Sequence, residues 1–374
     1  MSLYYQGNET QAPPAQVNID QRVPGDDPQS YLADPQLAAA VNVALILGKP
    51  LLLTGAPGTG KSRLAGHVAM ALGLDAPLRF DTRSLSQYGE LFYRFDSLAR
   101  FDASHDKDRP RRRAMDFVSL GPLGTAILRS LPRQDALFDL LGLGYPIPAR
   151  SAVPYPQRSV VLIDEIDKAP RDFPNDLLDA IDHLRFSIRE LEPELHQLLL
   201  DKRDSTDIQA DRQHRPVVII TSNSEKNLPD AFLRRCVYCH IPFPTDDQLL
   251  AIVARRLAGT GTGQGTLSTL APEQLAREET LTAEQVRPLL RSAVRWFSAV
   301  RALDLRKQPS TAELIEWVSY FLAHKLSPDE TVSARPGLLA ASLGVLVKSV
   351  EDLDAARHLL SHPPAGLAND VAVG

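Results

Sequence analysis

The sequence contains few cysteines, few aromatic residues and no long apolar run, and each shortage excludes a class of protein. Two cysteines among 374 residues cannot form a disulfide framework, so we expect the chain to fold in a reducing compartment. Apolar runs such as residues 160–163 and 217–220 are far too short to span a bilayer, and the first residues lack the basic start and apolar core of a signal peptide. We therefore expect a cytoplasmic protein without membrane insertion.

An excess of positive charge is also missing. Lysine and arginine number 41 against 46 aspartates and glutamates, which gives a formal net charge of −5. This balance argues against a protein that coats nucleic acid through general basic charge, although it leaves room for a local basic segment. The chain does have 44% hydrophobic and 23% charged residues, which is typical of a folded protein, and its length suggests two or three domains.

Three regions follow one another along the chain. Residues 1–30 are rich in Gln, Asn, Asp and Pro without a helical or strand period, which predicts a tail or an arm. Residues 31–245 combine short apolar runs with amphipathic stretches, which predicts an α/β domain. Residues 246–374 carry helical patterns alone, which predicts a smaller all-helical domain. The glycine-rich run at 259–265 follows no strand and fits no dinucleotide-binding pattern, so we interpret it as a flexible connector.

Apolar runs without polar alternation predict strands that helices cover on both faces. These runs are residues 51–54, 78–80, 160–163, 217–220 and 237–241. An amphipathic helix predicted over residues 61–72 follows the first run, so the order strand, helix, strand indicates an open α/β sheet. The remaining predicted helices cover residues 37–47, 172–184, 247–257, 282–303, 310–322, 338–350 and 353–360. Thr282 with Gln285, and Ser310 with Glu313, are typical of capping boxes.

A phosphate-binding loop lies between the first predicted strand and helix. The eight residues fit the pattern G-x-x-x-x-G-K-[ST] in full, and they are Gly55, Ala56, Pro57, Gly58, Thr59, Gly60, Lys61 and Ser62. The glycines let backbone N–H groups face a β-phosphate at the positive end of the following helix, where Arg63 stands in the first turn. Lys61 would neutralise phosphate oxygens and Ser62 would bind Mg²⁺.

Two acidic residues end the apolar run at 160–163. The run delivers Asp164 to the carboxyl edge of the sheet, beside the phosphate-binding loop, where its carboxylate can hold the shell of Mg²⁺. Glu165 is then placed to orient and polarise an attacking water. Because a transferase would not need that second carboxylate, Glu165 indicates hydrolysis. The alternative is two exposed acids that precede a helix N-terminus.

Two further polar sites lie beside apolar runs: Asn223 follows the run at 217–220, and Arg234 with Arg235 precedes the run at 237–241. Asn223 comes at the carboxyl edge of its strand, where its amide can bridge the nucleophilic water and a γ-phosphate; the alternative is a residue that forms a turn. Arg234 and Arg235 end a short predicted helix, far from the nucleotide of their own chain. An arginine there suits the γ-phosphate of a neighbouring subunit, whereas the alternative is a cation pair at a helix C-terminus.

The phosphate-binding loop, the acidic pair, Asn223 and the arginine pair follow one another in an order that resembles Walker A, Walker B, sensor 1 and the arginine finger of the AAA+ ATPases. The resemblance extends from about Tyr31 to the C-terminal helices. More narrowly, the chain is similar to the MoxR group of that family. Three stretches carry this likeness: residues 164–170 running into 175–180, residues 91–96, and residues 228–236. The segment 84–124 is similar to the helix-2 insert of the same clade.

The resemblance implies an α/β P-loop domain with a five-stranded parallel sheet in the order 5-1-4-3-2, followed by a helical lid. It implies that the protein binds ATP and Mg²⁺, hydrolyses ATP, and remodels or matures client proteins as a homo-oligomeric ring, usually of six subunits. A protein with a von Willebrand factor A domain is the implied partner. Tyr31 is a candidate to stack on adenine, or else a packing residue. Ser310 stands near the expected sensor 2 arginine, which leaves Arg306 or Lys307 as candidates.

Two other functions stay open at this stage. A nucleic-acid-dependent motor would use the basic run from Arg109 to Arg113, but a solvated or mobile loop is the favoured interpretation of that run, and the chain has no recognisable DNA-binding module. The second function is that of a scaffold that assembles on ATP and hydrolyses it slowly.

The residues from Cys236 to His240 match a haem attachment motif, C-x-x-C-H. Strand alternation would turn the two cysteines to opposite faces of the strand, so they could not bind one haem or metal together.

Overall fold

The structure is a computed structural model that describes residues 28–105, 113–132, 156–192, 207–257, 286–364 and 367. Several expectations lie outside the described residues: the tail over 1–27, the connector at 259–265, the basic run at 109–112 and the capping pair of Thr282 and Gln285. The described residues form two compact units. One unit runs from Ala33 to Pro242, and the other joins the described residues before it to those from Phe243 onward.

A five-stranded parallel sheet forms the centre of the first unit. Its strands, numbered along the chain together with those of two small pairs, are β1 (Leu51–Thr54), β2 (Leu78–Asp81), β5 (Val160–Asp164), β8 (Val217–Ser222) and β9 (Val237–His240). The spatial order is β2-β5-β8-β1-β9, which is the predicted order 5-1-4-3-2 read from the opposite edge. Every residue of β1 and β5 is buried, as expected of strands that are covered on both faces. The predicted fold class is therefore confirmed.

Helices connect the parallel strands of this sheet, and the polar residues that follow the strands share one edge. The helices among the described residues of the unit are α1 (Pro35–Leu47), α2 (Lys61–Ala71), α3 (Ser97–His105), α4 (Pro122–Ser130), α5 (Phe173–His183) and α6 (Asp230–Leu233). Helix α1 begins where Asp34 accepts a hydrogen bond from the N–H of Leu37, and it ends at Gly48 in the left-handed conformation. Parallel strands end at one edge, so residues after β1, β5 and β8 meet there.

Two short antiparallel pairs lie outside the central sheet. Strands β3 (Tyr93–Phe95) and β4 (Val118–Leu120) enclose α3 within the segment predicted as an insert. Strands β6 (Arg185–Phe186) and β7 (Ile208–Gln209) form the second pair. Gly121 and Gly124 stand where a Cβ atom would come within 2.2 Å of the carbonyl of Glu90 and 2.1 Å of that of Phe92, so this part of the insert packs backbone against backbone.

The second unit is helical over its described residues. Its helices are α7 (Asp246–Leu257), α8 (Pro288–Arg301), α9 (Thr311–Ala323), α10 (Pro336–Leu346) and α11 (Val350–Ser361). Ser310 and Glu313 form the predicted capping box at the start of α9. The apolar stripe of α8 packs into one core with α7, α9 and α10. No helix among the described residues has the length and apolar character needed to cross a membrane.

Predicted helix boundaries are wrong in two places. The pattern predicted helices over residues 338–350 and 353–360, but α10 ends at Leu346 and α11 begins at Val350. The periodicity predicted a helix from Thr282, but Val286 and Arg287 are extended and α8 begins at Pro288. Proline lacks an N–H and disfavours a helical residue before it, so the first helical position is where it fits. Val286 is nevertheless buried in the same core as the stripe, which is why its apolar character resembled a helical position.

Candidate active site

The loop between β1 and α2 adopts a conformation that depends on its glycines. Gly55, Gly58 and Gly60 have φ angles of 147°, 76° and 86°, in the region that L-residues rarely adopt. A Cβ atom on Gly55 would also lie 2.3 Å from the carbonyl oxygen of Ile241. Between the glycines, Thr59 Oγ1 donates to the carbonyl of Ala56 at 3.0 Å, which closes the turn. The loop therefore presents backbone N–H groups at the N-terminus of α2.

Lys61 lies buried beneath this loop. Its Nζ donates to the carbonyl oxygens of Gly55 at 2.7 Å and Ala56 at 2.8 Å. Burial lowers the pKa of Lys61, and the carboxylates of Asp167, Asp164 and Glu165 oppose that shift. Phosphate oxygens are stronger acceptors than carbonyls, so a bound triphosphate can take over these hydrogen bonds.

Asp164 joins the loop to the neighbouring strands. Its Oδ1 accepts hydrogen bonds from Ser62 Oγ at 2.7 Å and from Thr221 Oγ1 at 2.5 Å. The side chain of Asp164 is 7% exposed and its Oδ2 accepts from Arg79 at 2.8 Å. A carboxylate beside a hydroxyl is the kind of oxygen donor set that Mg²⁺ prefers, so the two predicted ligands, Ser62 and Asp164, fit the metal.

Glu165 stands next to Asp164 with a strained backbone. Its φ of 55° is left-handed, and its N–H donates to Thr221 Oγ1 at 2.8 Å. One carboxylate oxygen accepts from Asn223 Nδ2 at 3.1 Å and the other accepts from Lys168 Nζ at 2.5 Å. The hydrogen bond to Glu165 raises the pKa of Lys168. The structure thus brings the two predicted residues, Glu165 and Asn223, into direct contact.

Asp167 is a member of the site that the sequence reasoning missed. This residue is 2% exposed, and its carboxylate accepts from the backbone N–H of Asn223 at 3.2 Å and of Glu225 at 3.1 Å. The hydrogen bonds tie the loop after β8 to the loop after β5. The signal that could have found it is a third acid within four residues after a buried strand.

Replacing Asp167 by alanine is expected to lower the free energy of unfolding by about 1–3 kcal/mol, because two backbone N–H groups, those of Asn223 and Glu225, lose their buried acceptor. Urea denaturation followed by circular dichroism measures the change. Asp172→Ala is the matched control, since Asp172 is exposed and its side chain makes no capping hydrogen bond. Equal stabilities of the two variants would contradict the assigned role.

Arg234 and Arg235 lie at the amino ends of the parallel strands, whereas the phosphate-binding loop lies at their carboxyl ends. Both arginines follow α6 and precede the amino end of β9, and Val237 is in register with Leu51 at the start of β1. The four residues of β1 span about 13 Å between the two edges. Arg235 Nε pairs with Asp182 at 2.6 Å, and both arginines are exposed. Neither arginine is therefore placed to reach a nucleotide on its own loop.

Three other candidate residues belong to the helical unit. Tyr31 is 8% exposed and follows a single 3-10 turn, Pro28–Ser30. Arg306 pairs with Glu351 at 3.4 Å, and Lys307 is exposed. Ser310 caps α9, which accounts for a serine near the expected sensor 2 position. Adenine stacking by Tyr31 and a sensor 2 role for Arg306 or Lys307 stay predictions.

The two cysteines are unsuited to a metal or haem site. Cys236 precedes β9 and Cys239 lies within it, and both are free thiols. Burial raises the pKa of Cys236 to about 12 and also raises that of Cys239, so neither thiolate forms readily at neutral pH. Over the part of the chain that the structure describes, no three His, Cys, Asp or Glu residues are grouped to hold a metal ion.

Comparison with known proteins agrees with the geometry of the loop and the sheet. The family model described as AAA domain, dynein-related subfamily, matches residues 50–236, which is half of the chain. The chain belongs to this AAA family. The matched residues begin before β1 and end at Cys236, so they contain the phosphate-binding loop, Asp164, Asn223 and both candidate arginines.

Among solved structures, PCH-2 of C. elegans is similar to this AAA protein. The identity is 17%, the TM-score is 0.37, and the alignment covers 88% of this chain and 70% of that chain. None of the curated proteins matches the sequence. The family assignment therefore depends on the sequence model, and the P-loop nucleotide-binding fold is seen in the sheet and loop described above.

Proposed function

We propose that the protein binds ATP with Mg²⁺ and hydrolyses it, and that a ring of identical subunits, usually six, uses this hydrolysis to remodel or mature client proteins. In this proposal the protein is of the MoxR type and works with a partner that contains a von Willebrand factor A domain. The proposal rests first on the site, then on the arginines at the far edge of the sheet, and then on the insert.

A continuous chain of hydrogen bonds carries the proposal of hydrolysis. It runs from Ser62 through Asp164 and Thr221 to Glu165, and from Glu165 to Asn223. These five residues come from α2, from the end of β5 and the residue after it, and from β8 and the residue after it, yet each link is between 2.5 and 3.1 Å long. Such a connected arrangement is preorganised to hold a metal ligand, a carboxylate base and an amide around one phosphoryl group.

Each side chain then has a distinct role. Lys61 and the backbone N–H groups of the loop bind phosphate oxygens, and the buried position of Lys61 excludes water from that contact. Mg²⁺, held by Ser62 and Asp164, would neutralise charge on the β- and γ-phosphates. Glu165 orients the attacking water and takes its proton, while Asn223 positions that water against the γ-phosphate. Ala56, Pro57, Thr59 and Arg63 belong to the same loop and helix N-terminus.

The position of the arginines supports assembly into a ring. Arg234 and Arg235 stand at the sheet edge opposite to the phosphate-binding loop, so they can reach a γ-phosphate only on an adjoining subunit. A head-to-tail contact that closes on itself produces a cyclic oligomer. Each nucleotide would then lie between two subunits.

The insert and the motif after β5 support the narrower MoxR assignment. The described residues of the segment at 84–124 include a strand, a helix and a strand, and these strands pair with each other and not with the central sheet. The residues from Asp164 to Pro170 carry the pattern on which the likeness was based. Client and partner follow from this assignment alone.

Purified protein is expected to hydrolyse Mg²⁺·ATP at the same rate with and without single-stranded or duplex DNA. The net charge of −5 offers no general attraction for a polyanion. Phosphate release measures the rate, and Lys61→Ala protein measures the contaminating background. Stimulation by DNA of several-fold that declines with salt would instead favour the nucleic-acid motor. Turnover no faster than the Lys61→Ala background would leave the ATP-assembled scaffold as the better account.

A further inference from the structure

Arg79 contacts the metal-binding carboxylate without belonging to any of the motifs. It lies in β2, and its Nη2 donates to Asp164 Oδ2 at 2.8 Å. Of the three donors to the carboxylate of Asp164 that the described residues supply, Ser62 and Thr221 are neutral hydroxyls and Arg79 alone is charged. A buried carboxylate needs a counter-ion or strong hydrogen bonds, and Arg79 provides the charge.

A second carboxylate competes for the same guanidinium. Arg79 Nε donates to Asp81 Oδ1 at 2.6 Å. Arg79 and Asp81 are two residues apart on β2 and so share one face of the sheet, and Asp81 is in register with Asp164 on β5. Asp81 is 61% exposed whereas Asp164 is 7% exposed, so Arg79 bridges a solvated carboxylate and a buried one.

Arg79 has room to leave Asp164. Its side chain is 56% exposed and lines a cleft of about 640 Å³ between the end of β2 and the β3–β4 pair. Asp81 and Arg83 line the same cleft. The guanidinium therefore borders open space, and we expect it to be able to move away from Asp164 while it keeps its contact with Asp81.

We propose that Arg79 is the counter-ion of Asp164 in the metal-free site and competes with the divalent cation for that carboxylate. A guanidinium within hydrogen-bonding distance of Asp164 repels a cation bound to the same carboxylate, so Arg79 gives up its contact with Asp164 and keeps the one with Asp81 when the metal binds. Arg79 is thus a positioning residue that lowers the affinity for the metal and sets when the site becomes active. This inference rests on the proposed function, because it concerns the same metal-nucleotide site.

The test measures the affinity for Mn²⁺ of protein with a non-hydrolysable ATP analogue, using the electron paramagnetic resonance signal of free Mn²⁺. Arg79→Gln and Arg79→Ala are expected to bind Mn²⁺ about tenfold more tightly than the wild type, since the competing charge is removed. Asp81→Asn is expected to bind it more weakly, since Arg79 loses its alternative partner. In EDTA, all three variants are expected to bind the analogue as the wild type does.

Arg83→Ala is the matched control, because Arg83 is an exposed arginine of the same cleft whose side chain contacts neither carboxylate among the described residues. Equal Mn²⁺ affinity in the Arg79 variants and the wild type would overturn the proposal, and so would an equal gain in Arg83→Ala. Weaker binding of the analogue in EDTA by the Arg79 variants would also overturn it, since Arg79 would then be a phosphate ligand. A wild type that binds no metal-nucleotide would overturn the proposed function together with the role of Arg79. If the wild type binds it, the outcomes named above overturn the role of Arg79 alone.

Discussion

Glu165→Gln protein is expected to bind ATP with unchanged affinity and to lose at least about a hundredfold in turnover. General acid–base catalysis contributes roughly 10²–10⁴ in rate, and a neutral amide cannot accept the proton of the attacking water. Glutamine keeps the size of the side chain and can still accept the hydrogen bond from Asn223 Nδ2. The proposed phosphate contacts come from the loop after β1 and from the first turn of α2, so the substitution does not change them. Phosphate release and the binding of a fluorescent ATP analogue measure the two quantities.

The structure offers a close control for this change. Glu225 is an exposed glutamate two residues after Asn223, and its backbone N–H, not its carboxylate, makes the hydrogen bond to Asp167. Glu225→Gln removes the same charge from the same neighbourhood and should leave turnover within about twofold of the wild type. Normal turnover in Glu165→Gln protein would remove that residue from the mechanism. The inactive variant with ATP bound can also be used to capture a client.

The sequence allows a site residue to be predicted when its role can be read from its place in one contiguous motif or at the end of one strand. The phosphate-binding loop is contiguous, and Asp164 and Asn223 each come at the end of a buried apolar run, so the edge they share follows from parallel strand order. The sheet order itself was implied by the family resemblance, not by the residues.

The residues that could not be predicted depend on contacts between distant strands. Arg79 reaches Asp164 across 85 positions because β2 and β5 pair in one register, and a shift of one residue would turn its side chain to the other face. Asp167 contacts a loop 56 positions away. The contact of Lys168 with Glu165 is local, but it depends on the left-handed backbone at Glu165, which no pattern in the sequence indicates.

Substitution of Arg235 is expected to have the second large effect on turnover. Arg235→Ala is expected to lower turnover by roughly 10³, the lower range for loss of an arginine that stabilises transferred phosphate in trans. Asp182 and the carbonyl of Ala231 hold Nε and Nη1 of this side chain, which leaves Nη2 for a phosphate oxygen of the neighbouring subunit. Arg234 has no side-chain partner among the described residues, so we expect a smaller loss for Arg234→Ala. Arg212→Ala, which also changes an exposed arginine at that edge, is the control.

A mixture of two inactive variants decides whether the arginine acts between subunits. In a randomly mixed ring of Arg235→Ala and Glu165→Gln subunits, about a quarter of the sites combine an intact Glu165 with an intact arginine from the neighbour. Mixing should therefore restore about a quarter of wild-type turnover. Glu165→Gln mixed with Lys61→Ala should restore none, because Lys61 and Glu165 serve the same site within one chain. Exchange of subunits without any recovery in the first mixture would show that Arg235 does not complete a neighbouring site.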